Sequence, residues 1–228
     1  MDTHIQREIL LVDDERTLLL SLSTVLSEAG YAVRVAMNGN KALKAIAQSR
    51  PDLVLLDVTM PGKCGFDVCR EIRKSDATLP IAFLTALDTP HDELKGLSAG
   101  GDIYISKTTP DEVLLARIAA VLRLRNTEEG VGDFDFGSWH IEAANFRMRA
   151  PFGRVVHLTD RDIALLRLFK AHPGEVFSRD ALATKFWGVA ASPRDNSVSV
   201  VLSRLRRKLG HVGDLIHVIY GTGYSFRP

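Results

Sequence analysis

Five short apolar runs punctuate the first 125 residues: EILLV (8–12), YAVRVA (31–36), DLVLLDV (52–58), PIAFLT (80–85) and DIYIS (102–106). Stretches with helical periodicity lie between and after them, at 17–29, 40–49, 66–74, 90–98 and 111–124. Strands that are apolar on both faces need cover above and below, and helices that return the chain between parallel strands supply it. The predicted fold of 1–125 is therefore α/β, a doubly wound five-stranded parallel sheet. Such sheets bind ligands at the carboxyl ends of their strands.

The chemistry falls at that rim. Asp13 and Asp14 close the first run, Asp57 the third and Thr85 the fourth, and Lys107 follows the fifth. In a 2-1-3-4-5 strand order these ends are neighbours. Each residue alone has an ordinary reading, a helix cap or a solvated lysine. Together they put three anions in one place, which requires a compensating cation. Oxygen-only ligands point to Mg²⁺. Carboxylates for a metal, one more for a phosphoryl group, a hydroxyl and an ammonium make a site for phosphoryl transfer to a carboxylate.

The segments ILLVDDE, LVLLDVTMPGKCGFDVCREIR, PIAFLTA and DIYISK resemble the receiver domains of two-component response regulators, across essentially all of 7–125. The resemblance implies a flavodoxin-like fold in which Asp57 accepts phosphate from a sensor histidine kinase. It implies Mg²⁺ held by Asp14, Asp57 and the Thr59 carbonyl, with Asp13 acting through water. Thr85 and Lys107 would bind the phosphoryl oxygens, and Tyr104 matches the aromatic that reorients with the threonine. Receivers of this family usually follow the lysine with proline; this chain has Thr108.

Residues 126–132, NTEEGVG, are polar and read as a linker between domains at 1–125 and 133–228. The charge balance shifts across it, from a net −2 over 1–125 to +3 over 126–228. Arg204, Arg206, Arg207 and Lys208 concentrate the excess, a modest nucleic-acid footprint. Short strands (FDFGSWHI, FRMRA, VVHL) precede helices at 160–171, 179–187 and 196–209, and a hairpin turning at Gly221-Thr222-Gly223 ends the chain. This order is that of an α+β winged helix-turn-helix domain. In the third helix Val198, Leu202, Leu205 and Leu209 form a buried stripe, which sets Ser197, Val200, Val201 and Arg204 outward. Outward valines suit thymine methyls, Arg204 a guanine edge, and Arg206 and Arg207 phosphates.

HLTDRDIALLRLF, GEVFSRDALATKFWG, DNSVSVVLSRLRRKLG and YGTGYSF resemble the effector domain of OmpR/PhoB-type regulators. The implied partners are double-stranded DNA with tandem half-sites and RNA polymerase. The DNA-contacting set is then Asn196, Ser197, Val200, Val201, Arg204, Arg206 and Arg207, with Tyr220 and Thr222 from the hairpin. Tyr220 stands where the family usually carries an arginine. The resemblance also implies a homodimer through the fourth helix, fifth strand and fifth helix. There Leu94 and Leu97 would supply an apolar patch enlarged by Ile103, which replaces the acid that pairs with Arg117, and by Val113, which replaces the acid whose usual basic partner on the fourth helix is here Glu93.

The N-terminus mixes charges and does not look like a secretory signal, so a cytoplasmic location without membrane contact is expected. Cys69 falls at a core position, while Cys64 in a glycine-flanked loop is a candidate reactive thiol. The chain is expected not to be an enzyme but a regulator that accepts the group on its own aspartate. A constitutive DNA binder, and a phosphatase or phosphotransferase acting on external substrates, remain as other readings.

Overall fold

The computed structural model describes residues 6–87, 90–123, 132–151, 153–188 and 197–228. The chain forms two compact units, Met1–Ile118 and Ala119–Pro228, divided within the fifth helix. The linker predicted at 126–132 lies outside the described residues, apart from Gly132.

The first unit alternates β1 (Glu8–Val12), α1 (Arg16–Glu28), β2 (Ala32–Ala36), α2 (Gly39–Gln48), β3 (Leu53–Leu56), α3 (Gly65–Ser75), β4 (Ile81–Thr85), α4 (Pro90–Ser98), β5 (Ile103–Ser106) and α5 (Asp111–Arg123). The strands pair in parallel, in the order β2-β1-β3-β4-β5. Every residue of β3 is fully buried, as a central strand covered on both faces must be. Phe83 of β4 meets Phe66 edge-on at 5.4 Å and Tyr104 at 5.9 Å. One buried ion pair staples three elements: Arg73 Nη2 lies 2.9 Å from Asp102 Oδ2, which also accepts the Ile81 N–H. Arg73 donates as well to the carbonyls of Leu79 and Gly100.

The second unit opens with a four-stranded antiparallel sheet of β6 (Phe134–Phe136), β7 (Trp139–Glu142), β8 (Arg147–Arg149) and β9 (Val155–His157). Then come α6 (Asp160–Ala171), β10 (Val176–Ser178), α7 (Arg179–Trp187), α8 (Ser197–Leu209), β11 (Ile216–Ile219) and β12 (Gly223–Phe226). Thr159 caps α6 in a reciprocal box with Asp162, and Ser178 caps α7 by accepting the Ala181 N–H at 3.1 Å. These side chains satisfy first-turn donors that have no partner within the helix. Strand β10 is not among the strands read from the sequence. It joins the C-terminal hairpin as β10-β12-β11. Gly223 makes that pairing possible: a Cβ there would fall 2.0 Å from the Phe177 carbonyl oxygen, at φ +156.

Candidate functional site

The sheet order gathers the predicted acidic rim. Asp13 and Asp14 follow β1, and Asp57 follows β3, its N–H donating to the Val12 carbonyl at 2.8 Å. Thr85 ends β4, and Lys107 follows β5 with its N–H on the Thr85 carbonyl at 2.9 Å. Asp13, Asp57 and Thr85 are buried while Asp14 is exposed. The three carboxylates offer oxygens within 4.8 Å of one another. Lys107 Nζ bridges two of them, 2.6 Å from Asp13 Oδ2 and 3.1 Å from Asp57 Oδ2.

Asp13 Oδ1 accepts the Glu15 N–H at 2.9 Å. Asp57 Oδ1 is buried with no hydrogen-bond partner. Burial pushes the Asp57 carboxyl above its ordinary range, against the pull of Lys107 and the Thr59 backbone N–H. Lys107 is raised: burial opposes its charge, but Asp13 and Asp57 outweigh it. An unsatisfied buried carboxylate oxygen beside two further carboxylates fits a hard cation. Receiver domains bind Mg²⁺ at an acidic pocket of this kind.

Thr85 Oγ1 accepts the Leu87 N–H at 3.3 Å, so its hydroxyl faces the loop after β4. Tyr104 is buried against Phe83 and the backbone of α4, where a Cβ on Gly96 would stand 2.9 Å from its ring. Thr59 is exposed. Ser106 secures the loop that carries Lys107: its Oγ lies 2.8 Å from Thr108 Oγ1 and accepts the Thr108 N–H at 3.2 Å.

Helix α8 corrects part of the sequence reading. Val198, Leu202, Leu205 and Leu209 are buried as predicted, but Ser197, Val200 and Val201 are not outward; their exposures are 1%, 8% and 0%. A single apolar stripe assumes one neighbour, whereas α8 has several. It packs on α7, reaches α6 through Lys208 and Asp162, and meets β12 through a 3.1 Å hydrogen bond from Tyr224 to Ser199. Its outward edge is Ser203 and Arg207, flanked by the half-buried Ser199, Arg204 and Arg206. Arg206 donates to the Gly213 carbonyl at 3.0 Å and faces Asp214 at 3.4 Å. Asn196 lies outside the described residues. At the hairpin tip Tyr220 is 94% exposed, followed by Gly221 at φ +74, with the Thr222 N–H on the Ile219 carbonyl. That is the turn position where positive φ calls for glycine.

Comparison with known proteins agrees with both units. Residues 9–119 match the family of response regulator receiver domains, and residues 153–226 match the C-terminal domain of transcriptional regulatory proteins. Response regulator MprA of Mycolicibacterium vanbaalenii is 38% identical over 224 residues, covering 96% of each chain. The chain belongs to the OmpR/PhoB-type response regulators. Among solved structures, the Thermotoga maritima OmpR/PhoB homologue DrrB is 30% identical, with 98% of this chain and 100% of that one covered at a TM-score of 0.52. A cysteine-to-aspartate mutant of RitR covers 97% and 99% at a TM-score of 0.75 and 26% identity. This response regulator thus joins a receiver to an OmpR-type DNA-binding domain and is a phosphorylation-controlled regulator of transcription. No helix among the described residues is long and apolar enough to cross a membrane.

The expected dimer patch is also corrected. Leu97 and Ile103 are fully buried, whereas Leu94 is 46% exposed and Val113 half-buried. Successive residues of β5 point to opposite faces, and Ile103, Tyr104 and Ile105 are all covered. Arg117 turns inward, donating to the Tyr104 carbonyl at 3.4 Å. Three contributors escaped the sequence reading. Ser106 carries no motif, and Asp162 looks like a cap alone. Gly65 could be suspected from its place at the start of α3: a Cβ there would fall 2.2 Å from the Asp57 carbonyl oxygen.

Proposed function

We propose that Asp57 is the phosphoacceptor, and the observation that carries this is its buried Oδ1 without a hydrogen-bond partner, beside Asp13, Asp14 and Lys107. The Asp57 carboxylate attacks the phosphorus of a phosphohistidine on a sensor kinase. An O–P bond forms, the N–P bond breaks, and the imidazole leaves with the electron pair. Asp14, Asp57 and the Thr59 carbonyl would hold Mg²⁺, with Asp13 acting through water, and the ion would supply positive charge against the crowded carboxylates and the incoming oxygens. Lys107 keeps its charge at the rim and turns it to the phosphoryl group as a point charge. Thr85 reorients with Tyr104 to donate its hydroxyl there. The protein acts as a cytoplasmic regulator that accepts the group on its own residue, through domains at 1–125 and 133–228.

On the DNA side, the outward edge of α8 enters the major groove of double-stranded DNA. Ser203 and Arg207 lead, Arg206 lies at the rim, and Tyr220 and Thr222 follow from the hairpin. Two protomers pair through α4, β5 and α5 on tandem half-sites about 10 bp apart and engage RNA polymerase. Acetyl phosphate is expected to label Asp57 only when Mg²⁺ is present, and Asp57→Asn to abolish labelling, as followed by intact-protein mass spectrometry. Labelling that persists in excess chelator would overturn the assignment.

A further inference from the structure

Asp162 is more elaborately placed than a helix cap requires. It is fully buried; its Oδ2 accepts the Thr159 N–H at 3.0 Å and lies 2.6 Å from Lys208 Nζ on α8. Arg204, also on α8, acts electrostatically on the same carboxylate. Closing the capping box needs only an acceptor oxygen, which an amide supplies as well. The negative charge is therefore matched to α8 rather than to α6.

That matching divides the cations of the helix. Lys208 pairs with Asp162 at 2.6 Å, and Arg206 faces Asp214 at 3.4 Å. Exposed Arg207 has no carboxylate within ion-pair distance among the described residues. An anion in contact with an ammonium cancels most of its field at the distance of a phosphate. The salt dependence of DNA binding counts the cations that reach phosphates.

We infer that Asp162 is a positioning residue that holds Lys208 away from the DNA backbone, lowering indiscriminate attraction so that the edge around Ser203 and Arg207 decides sequence preference. This rests on the reading of α8 as the DNA-facing helix. Asp162 thereby sets the ratio of specific to non-specific binding without touching DNA itself.

The test uses the full chain, a random-sequence duplex and a duplex enriched by the wild-type protein from a random pool, with affinities followed by anisotropy across a salt series. Asp162→Asn keeps the cap and removes the charge. Its slope of log K against log salt on the random duplex should steepen by about one unit. Its specific-to-random ratio should fall about tenfold, the scale of one spoiled base pair. Asp162→Glu should retain the wild-type slope. A folded Asp162→Asn protein with an unchanged slope and both duplexes weakened equally would reduce Asp162 to a cap and overturn the proposal. Should Asp162→Asn not fold, Lys208→Gln decides: an unchanged slope supports the sequestered lysine, and a slope shallower by about one unit overturns it. Arg207→Ala separates the underlying reading. Unaltered binding in that variant would mean that another face meets DNA.

Discussion

The acid sensitivity of the DNA-binding unit should trace to Asp162. Burial alone would push its carboxyl up, but the charges of Lys208 and Arg204, with hydrogen bonds from Lys208 and the Thr159 N–H, hold it down to about 2, against an ordinary 3.8. The folded state binds this proton more weakly than the unfolded chain. Its contribution is therefore complete above 3.8 and disappears as pH falls through about 2. A difference of nearly two units amounts to roughly 2 kcal/mol, a sizeable share of a small domain's stability. The chain's two tryptophans, Trp139 and Trp187, both lie in the second unit and are buried, so their emission reports on it alone. Urea titrations between about pH 6 and about pH 2 give its stability profile. Other carboxylates contribute to any acid slope, and comparison with Asp162→Asn removes them. The variant should be weaker near neutrality and lose roughly 2 kcal/mol less on acidification. Parallel curves for the two proteins would show that Asp162 holds no such charge-dependent stability.

Two further outcomes follow from geometry. In Gly65→Ala, a methyl 2.2 Å from the Asp57 carbonyl oxygen forces the β3–α3 loop aside; overpacking of about 1–3 kcal/mol should lower the receiver's melting temperature by several degrees or more. Acetyl phosphate labelling should slow far more than stability falls, up to ~10²-fold for a displacement of about 1 Å, and labelling at the wild-type rate would show that Asp57 had not moved. Tyr220→Arg places a cation on a hairpin that has no charged residue between 216 and 226; the salt slope of DNA binding should steepen by about one unit, and an unchanged slope would mean that the tip does not approach phosphates.

The first unit was visible in its residues because one physical rule governed both fold and site. A strand covered on both faces announces itself as an unbroken apolar run, and the polar residue that ends the run marks the rim. Asp13, Asp57, Thr85 and Lys107 therefore came with the strand boundaries. The second unit kept its element order but not the facing of α8. Spacing identified Val198, Leu202, Leu205 and Leu209 because they share one stripe. Ser197, Val200 and Val201 face other neighbours, and which neighbours surround a helix is a tertiary fact that its own periodicity does not carry. The same limit hid Ile103 and Leu97 inside the receiver, where they had seemed available to a partner.

Departures from a family pattern show the same division between local and tertiary causes. Where proline usually follows the lysine, Thr108 keeps its N–H, and Ser106 Oγ accepts it within a closed local turn. The partner of that N–H is a sequence neighbour. Position 103 shows the tertiary case: Ile103 stands where the family pattern has an acid, and it is fully buried. Arg117 turned to a backbone carbonyl on the edge strand β5, thirteen residues away. An arginine engaged inward must exchange that bond before it can pair with a second protomer, and a hydrogen bond from a charged group contributes about 1.5–3 kcal/mol. The proposed pairing through α4, β5 and α5 would therefore start from a face where the cation is already committed and Leu94 and Val113 remain accessible. A partner protomer must offer Arg117 an acceptor at least as good as the Tyr104 carbonyl for the ion-pair contribution to be favourable.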